Sequence, residues 1–229
     1  MKKYLKILSA ILAITAVFAL TSCSNTDTKS KTDTNQKQNA ATTEKATAKP
    51  ADVKEKVPVT GELSTTTSCK VQFTMSDGAT FVVQCAPEYA PETVENFLKL
   101  VDSDFYNGLT FHRILDNFVA QGGDQSGNGT GGSSDKITGE FSGNGFVQNT
   151  LKHKRGSVAM ARSQEPDSAS SQFYICYTDL PDLDDNYAVF GEVISGMDTV
   201  DSFLTAPRDR AGAPTGDPIK IQTAEILPK

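Results

Sequence analysis

Tryptophan is missing from this chain of 229 residues, histidine occurs only twice and cysteine only four times. These scarcities exclude several kinds of chemistry. Neither His112 nor His153 belongs to a cysteine- and histidine-bearing motif of metal-binding spacing, so no metal or cofactor is expected. No Gly-x-Ser-x-Gly elbow occurs, which removes the usual serine-hydrolase nucleophile. Beyond the first residues there is no cluster of lysine and arginine, and a chain of formal charge −6 is a poor partner for nucleic acid. Internal repeats are absent. The glycine-rich "GNGTGG", Gly127 to Gly132, satisfies a dinucleotide fingerprint only on paper. The segment after it has no helical period and no β-α-β alternation surrounds it, so it reads as a surface loop.

What is present begins with "MKKYLKILSAILAITAVFALTSC". Lys2, Lys3 and Lys6 precede an apolar run from about Ile7 to Leu20, too short to cross a bilayer comfortably, and the pattern is that of an export leader. Leu20-Thr21-Ser22-Cys23 resembles the lipobox of bacterial lipoproteins, in which the cysteine is lipidated and becomes the mature N-terminus. Residues 1–22 are therefore expected to be removed, which takes away three lysines and no acid and moves the formal charge from −6 to −9. From 23 to 62 the chain is rich in Thr, Lys, Asn, Gln, Ala and Asp, and no aromatic residue follows until Phe73. Such a segment buries too little apolar surface to offset its ordering entropy. It is expected to be a tether with a reach of roughly 35 Å. The expected setting is the extracytoplasmic face of a cell membrane, with Cys23 as the anchor; the Ser-, Thr- and Lys-rich tether points to a Gram-positive surface.

The folded domain is expected over 63–229. "CKVQFTMSDGATFVVQC" is a hairpin signal, with Val71, Phe73 and Met75 alternating before Asp77-Gly78, and Phe81 and Val83 after it. "APETVENFLKLVDS" predicts a helix: Pro91 suits a first turn, and Val94, Phe97, Leu98 and Val101 form one stripe. Six more short runs read as strands: "LTFHRIL", "FVAQGG", "GSVAMAR", "SQFYICY", "YAVFGEVI" and "IKIQTAEIL". "GMDTVDSFL" reads as a second short helix. Many short strands with few helices predict an all-β barrel or sandwich. Cys69 and Cys85 flank the hairpin turn nearly symmetrically, and either a disulfide or a pair of thiols suits them. Cys176, in "FYIC", reads as a buried small hydrophobe.

The blocks "APETVENFLKL", "FYNGLTFHRI", "FVAQGGD", "GEF", "LKHKRGSVAMAR", "SSQFYI" and "YAVFGEV" occur in the order in which cyclophilins carry them. From about Val71 to Ile226 the chain resembles that family of peptidyl-prolyl cis/trans isomerases. The Met160–Ser171 spacing and "LDDNYAVFG" look more like its bacterial members. The resemblance implies a closed eight-stranded antiparallel β-barrel capped by two α-helices, with an active-site groove on the outer surface. It further implies an enzyme that accelerates X-Pro isomerisation, acts as a monomer on proline-containing peptides and unfolded exported proteins, and uses no cofactor.

That reaction breaks no covalent bond. Rotation about X-Pro meets a resonance barrier of roughly 18–20 kcal/mol. A pocket that grips the ring, and a donor aimed at the nitrogen as it loses conjugation, bind the twisted state better than the planar one. Arg113, always protonated, suits the donor role. By the resemblance Phe118 and Val119 wall the pocket, and Gln121 hydrogen-bonds the substrate backbone. Tyr174 forms the pocket floor and Leu183 another wall. Tyr187 stands where the family has a groove histidine, while Ala161, Arg162 and Gln172 line the groove for residues before proline. Strand alternation then turns His112 into the barrel as a hydrogen-bonded core residue. His153, Phe173 and Phe190 read as structural. The family's groove tryptophan falls near Asp182 here, which implies weak cyclosporin binding. The competing reading, a proline-peptide binding or holdase module, has no use for a guanidinium at the twisted amide.

Overall fold

A computed structural model of the protein describes residues 69–228. The leader, Cys23 and the expected tether lie outside the described residues. Eight strands form one antiparallel sheet: β1 Lys70–Met75, β2 Thr80–Cys85, β3 Thr110–Ile114, β4 Val119–Asp124, β5 Ser157–Met160, β6 Phe173–Cys176, β7 Val189–Ser195 and β8 Ile221–Leu227. Two α-helices accompany them, α1 Pro91–Asp102 and α2 Met197–Ser202. Every run read as a strand from the sequence is one; β1 and β2 bury one face, while β5 and β6 bury both.

The β1–β2 hairpin shows how. Val71 stands opposite Val83 and Phe73 opposite Phe81, and the two phenyl rings stack at 4.8 Å. Asp77 accepts the Ala79 N–H at 2.9 Å, and Gly78 adopts φ +87°, a value that glycine reaches without steric cost. Phe97 of α1 inserts among Phe73, Phe173 and Phe190 at 5.0–6.3 Å between centroids. With Phe81, Tyr106 and Phe111 these rings fill the interior. The start of α1 is held from outside: Glu140, buried, accepts the N–H groups of Glu92 and Thr93 at 3.0 and 2.8 Å, two donors that no helix satisfies internally.

The strand order is β3-β4-β6-β5-β7-β2-β1-β8, and closure differs from the closed barrel expected. β3 and β8 do not form a ladder, so the sheet curls into an open barrel. At the seam stand one isolated bridge, Thr110 to Lys220, and backbone bonds from Phe111 to Ile219 and from Ile221 to Leu109. The reason lies in the two edges. Pro218 gives up an N–H just before β8, and β3 changes register between Thr110 and Phe111 and again between Phe111 and Arg113.

Candidate active site

On the outer face of the sheet the register places Arg113 opposite Gln121, Gln121 opposite Tyr174, and Tyr174 opposite Ala159. One cross-strand row thus runs over β3, β4, β6 and β5. The adjoining row on the inner face is Phe111, Gly122, Phe173 and Met160, all buried. Gly122 and Gly123 sit at the join. A side chain on Gly122 would crowd the Phe111 ring, and Gly123, at φ +83°, lies against the Ser171 carbonyl. The glycines therefore let β4 pass close to its neighbours.

Above the outer row is a cavity of about 180 Å³, lined by Arg113, Phe118, Val119, Gln121, Ala161, Arg162, Tyr174, Leu183 and Tyr187. Of the groove residues expected from sequence, only Gln172 lies outside it. Gln172 lines an adjoining cavity of about 220 Å³ together with Gln121, Ala161 and Arg162. The structure therefore brings all ten residues into two neighbouring cavities.

A chain of hydrogen bonds crosses the site. Arg113 donates to Gln121 Oε1 at 3.3 Å, Gln121 Nε2 donates to Gln172 Oε1 at 2.9 Å, and Gln172 Nε2 donates to the carbonyls of Gly129 and Gly131. Arg113 has no carboxylate partner within salt-bridge distance among the described residues; its guanidinium instead faces the Phe118 ring at 5.5 Å. Burial lowers its pKa, with Tyr187 opposing. A protonated guanidinium without a counter-ion has donors to offer a ligand. Arg162 differs. Its Nε and Nη2 donate to the Asn186 carbonyl at 3.0 and 2.8 Å, its Nη1 to the carbonyls of Ser163 and Gln164, and it lies between the rings of Phe141 and Tyr187. It is a fixed wall.

The pocket floor is braced from beneath. His153 Nε2 lies 2.9 Å from the Tyr174 hydroxyl, and His153 Nδ1 lies 3.0 Å from Asp184. A carboxylate only accepts, so Nδ1 carries the proton and Nε2 accepts from the hydroxyl. Burial pushes the His153 pKa down over the opposing pull of Asp184. Burial alone would raise the Asp184 carboxyl, but the His153 backbone N–H and ring hold it below its ordinary value. His153 is thus structural, as read, with a specific duty under Tyr174. Glu140 and Phe141 stood in the block "GEF", and Asp184 and Asn186 in "LDDNYAVFG", but nothing in their local pattern marked them as supports.

His112 corrects an expectation. It is buried, but the register shift between Phe111 and Arg113 makes it the extra residue of a bulge. A methyl group on Gly129 would stand 3.6 Å from its Nε2, so the ring lies beneath the glycine-rich loop and not in the barrel. Neither ring nitrogen has a hydrogen-bond partner among the described residues. The loop itself is gathered by Asp124, which accepts the N–H groups of Ser126, Asn128 and Gly129.

Fold and site together define a β-barrel protein with an external groove that sets a guanidinium and amide groups beside apolar walls. The chain matches the family model described as cyclophilin type peptidyl-prolyl cis-trans isomerase/CLD over residues 70–226. A peptidyl-prolyl cis-trans isomerase of Helicobacter pylori is 46% identical over 114 residues, which are 49% of this chain and 66% of that protein. Peptidyl-prolyl cis-trans isomerase B of Bacillus subtilis is 41% identical over 126 residues, 55% of this chain and 84% of that protein. Among solved structures, a cyclophilin type peptidyl-prolyl cis-trans isomerase of Cryptosporidium parvum superposes with a TM-score of 0.64 at 30% identity, covering 71% of this chain and 99% of that one. The same protein in the presence of the dipeptide Ala-Pro gives a TM-score of 0.63 at 31% identity, covering 70% of this chain and 99% of that one. The chain belongs to the cyclophilin-type peptidyl-prolyl cis-trans isomerase family.

Proposed function

We propose that the protein accelerates cis/trans isomerisation of X-Pro bonds in peptides and unfolded chains. The observation that carries this reading is the cross-strand row of Arg113, Gln121 and Tyr174 under a single apolar-walled cavity. The pyrrolidine ring sits against Phe118, Val119 and Leu183 with Tyr174 as its floor. Gln121 hydrogen-bonds the substrate backbone. Arg113 presents N–H groups to the prolyl nitrogen, whose lone pair is recovered only as the amide twists. Because that lone pair is absent in the planar ground state, the contact stabilises the transition state selectively. Removal of one such donor is expected to cost about 10²–10³ in rate. The residues before proline run toward Ala161, Arg162 and Gln172. That the Cryptosporidium relative was solved in the presence of Ala-Pro agrees with a groove of this kind.

The setting we propose is extracytoplasmic. A basic start, a short apolar run and the Leu20–Cys23 tetrapeptide support a lipid anchor at Cys23, a tether through residue 62 and service to proteins folding after export. Two experiments test these readings. A protease-coupled assay on an Ala-Pro peptide should show turnover in the wild type that Arg113→Ala removes while peptide affinity is kept. Equal inactivity of both proteins with affinity intact would make this a proline-peptide binding module. Mass spectrometry of the mature N-terminus should find a lipidated Cys23, and an unmodified start elsewhere would refute the anchor.

A further inference from the structure

The hairpin that opens the sheet carries a feature that the isomerase groove does not use. The β1–β2 register runs Lys70 to Gln84 and Val71 to Val83, so the next pair is Cys69 opposite Cys85. The Cys85 N–H donates to the Cys69 carbonyl at 2.8 Å, which makes them directly facing positions of an antiparallel pair. Such positions hold their Cα atoms about 5.5 Å apart, inside the range that a disulfide spans. Their side chains share a face, since Val71, Phe73, Phe81, Val83 and Cys85 all point into the core and Cys69 packs against it. The Cys85 thiol is hydrogen-bonded to the Cys69 side chain, so both sulfurs are turned toward each other, and the structure holds them as thiols.

We propose that Cys69 and Cys85 are a modification site: a dithiol that an external disulfide oxidant converts to a cross-strand bridge locking β1 to β2. Cys69 is partly exposed and Cys85 buried, and that fixes the order of events. Cys69, as thiolate, attacks one sulfur of the oxidant, forming a mixed disulfide and releasing the oxidant's first thiolate. Cys85 then gives up its proton to solvent and attacks the Cys69 sulfur, releasing the second thiolate. Two electrons pass to the oxidant, which leaves as two thiols, and the protein loses two protons. The hydrogen bond with the Cys69 side chain, and then burial, raise the Cys85 pKa, consistent with Cys69 reacting first. Cys176, buried on another strand, lies outside this pair.

The sequence supplies a clean readout. Trypsin cuts after Lys70, between the two cysteines, so a bridge is seen as peptides 57–70 and 71–99 joined. The full chain should be equilibrated with oxidised glutathione, digested under non-reducing conditions and compared with a sample held in reductant. The expected result is the joined pair in the oxidised sample only, and a melting temperature higher by roughly 5–10 °C than that of the reduced protein, for a bridge closing a loop of this size. Cys69→Ser should lose both effects, and Cys176→Ala should keep both. The proposal is overturned if the two peptides stay separate after oxidation, if Cys69 pairs with another cysteine instead, or if the joined form melts no higher than the reduced one.

Discussion

Two rows of side chains on the same four strands divide the work of this protein. The inner row, Phe111, Gly122, Phe173 and Met160, is buried and apolar. The outer row, Arg113, Gln121, Tyr174 and Ala159, differs in what it offers: donors, an amide and a hydroxyl. Neighbouring residues of the chain fall into different rows because a pleated strand alternates its faces. The division means that damage to one row should leave the other's property nearly intact.

The largest effect is expected on the inner row. Phe173 is in ring contact with Phe73, Phe97, Tyr106 and Phe111, and Phe173→Ala should cost about 3–5 kcal/mol in denaturant unfolding. A loss below about 1 kcal/mol would mean that the row does not hold the barrel. On the outer row, Arg113→Ala should lower kcat/KM by about 10²–10³, which is about 2.7–4 kcal/mol of transition-state binding, while leaving the unfolding midpoint close to wild type. A variant that melted early and turned over normally would invert the assignment.

Tyr174→Phe keeps the floor ring but removes the proton that His153 Nε2 accepts. The orphaned buried acceptor should cost about 1–3 kcal/mol of stability, with turnover falling less than in Arg113→Ala. Turnover falling as far as in Arg113→Ala would give the hydroxyl a part in the reaction itself.

The smallest effect is on pH dependence. Both His112 and His153 have pKa values pushed below the ordinary 6.5, with burial the leading cause. As pH falls below 6.5 the unfolded chain takes up protons that the folded one resists, so stability is full above that value and declines through the lowered pKa values. Asp184 adds a further decline only below the ordinary carboxylate value of 3.8, as its own lowered pKa is approached. Denaturation midpoints should therefore fall as the pH drops below 6.5, and His153→Gln should flatten part of that slope. A midpoint that rose on acidification would contradict the neutral His153.

Much of the site could be read before the fold was known. Short β-type runs between turn residues located β3 and β4, and the quoted blocks led to Arg113, Gln121 and Tyr174, which cross-strand pairing then set side by side. His112 shows where such reading stops. Alternation sent it into the barrel, but a one-residue bulge is set by how β3 meets β4 and leaves no trace in local pattern. Arg162 is another case: a groove arginine in sequence, yet its donors are taken by carbonyls, including that of Asn186, 24 residues away. Closure failed to follow from pattern as well, since the β3–β8 seam depends on segments more than 100 residues apart.

By itself the sequence determined which segments are strands and helices, which faces of the β1–β2 hairpin and of α1 are buried, and which family motifs the chain carries. These are consequences of local periodicity and side-chain type. Tertiary structure alone decided that Arg113 stands without a carboxylate partner, that Tyr174 rests on His153 and Asp184, and that Cys69 faces Cys85. Each of these is a matter of register between strands or of distance across the fold, and neither quantity is written in any single stretch of the chain.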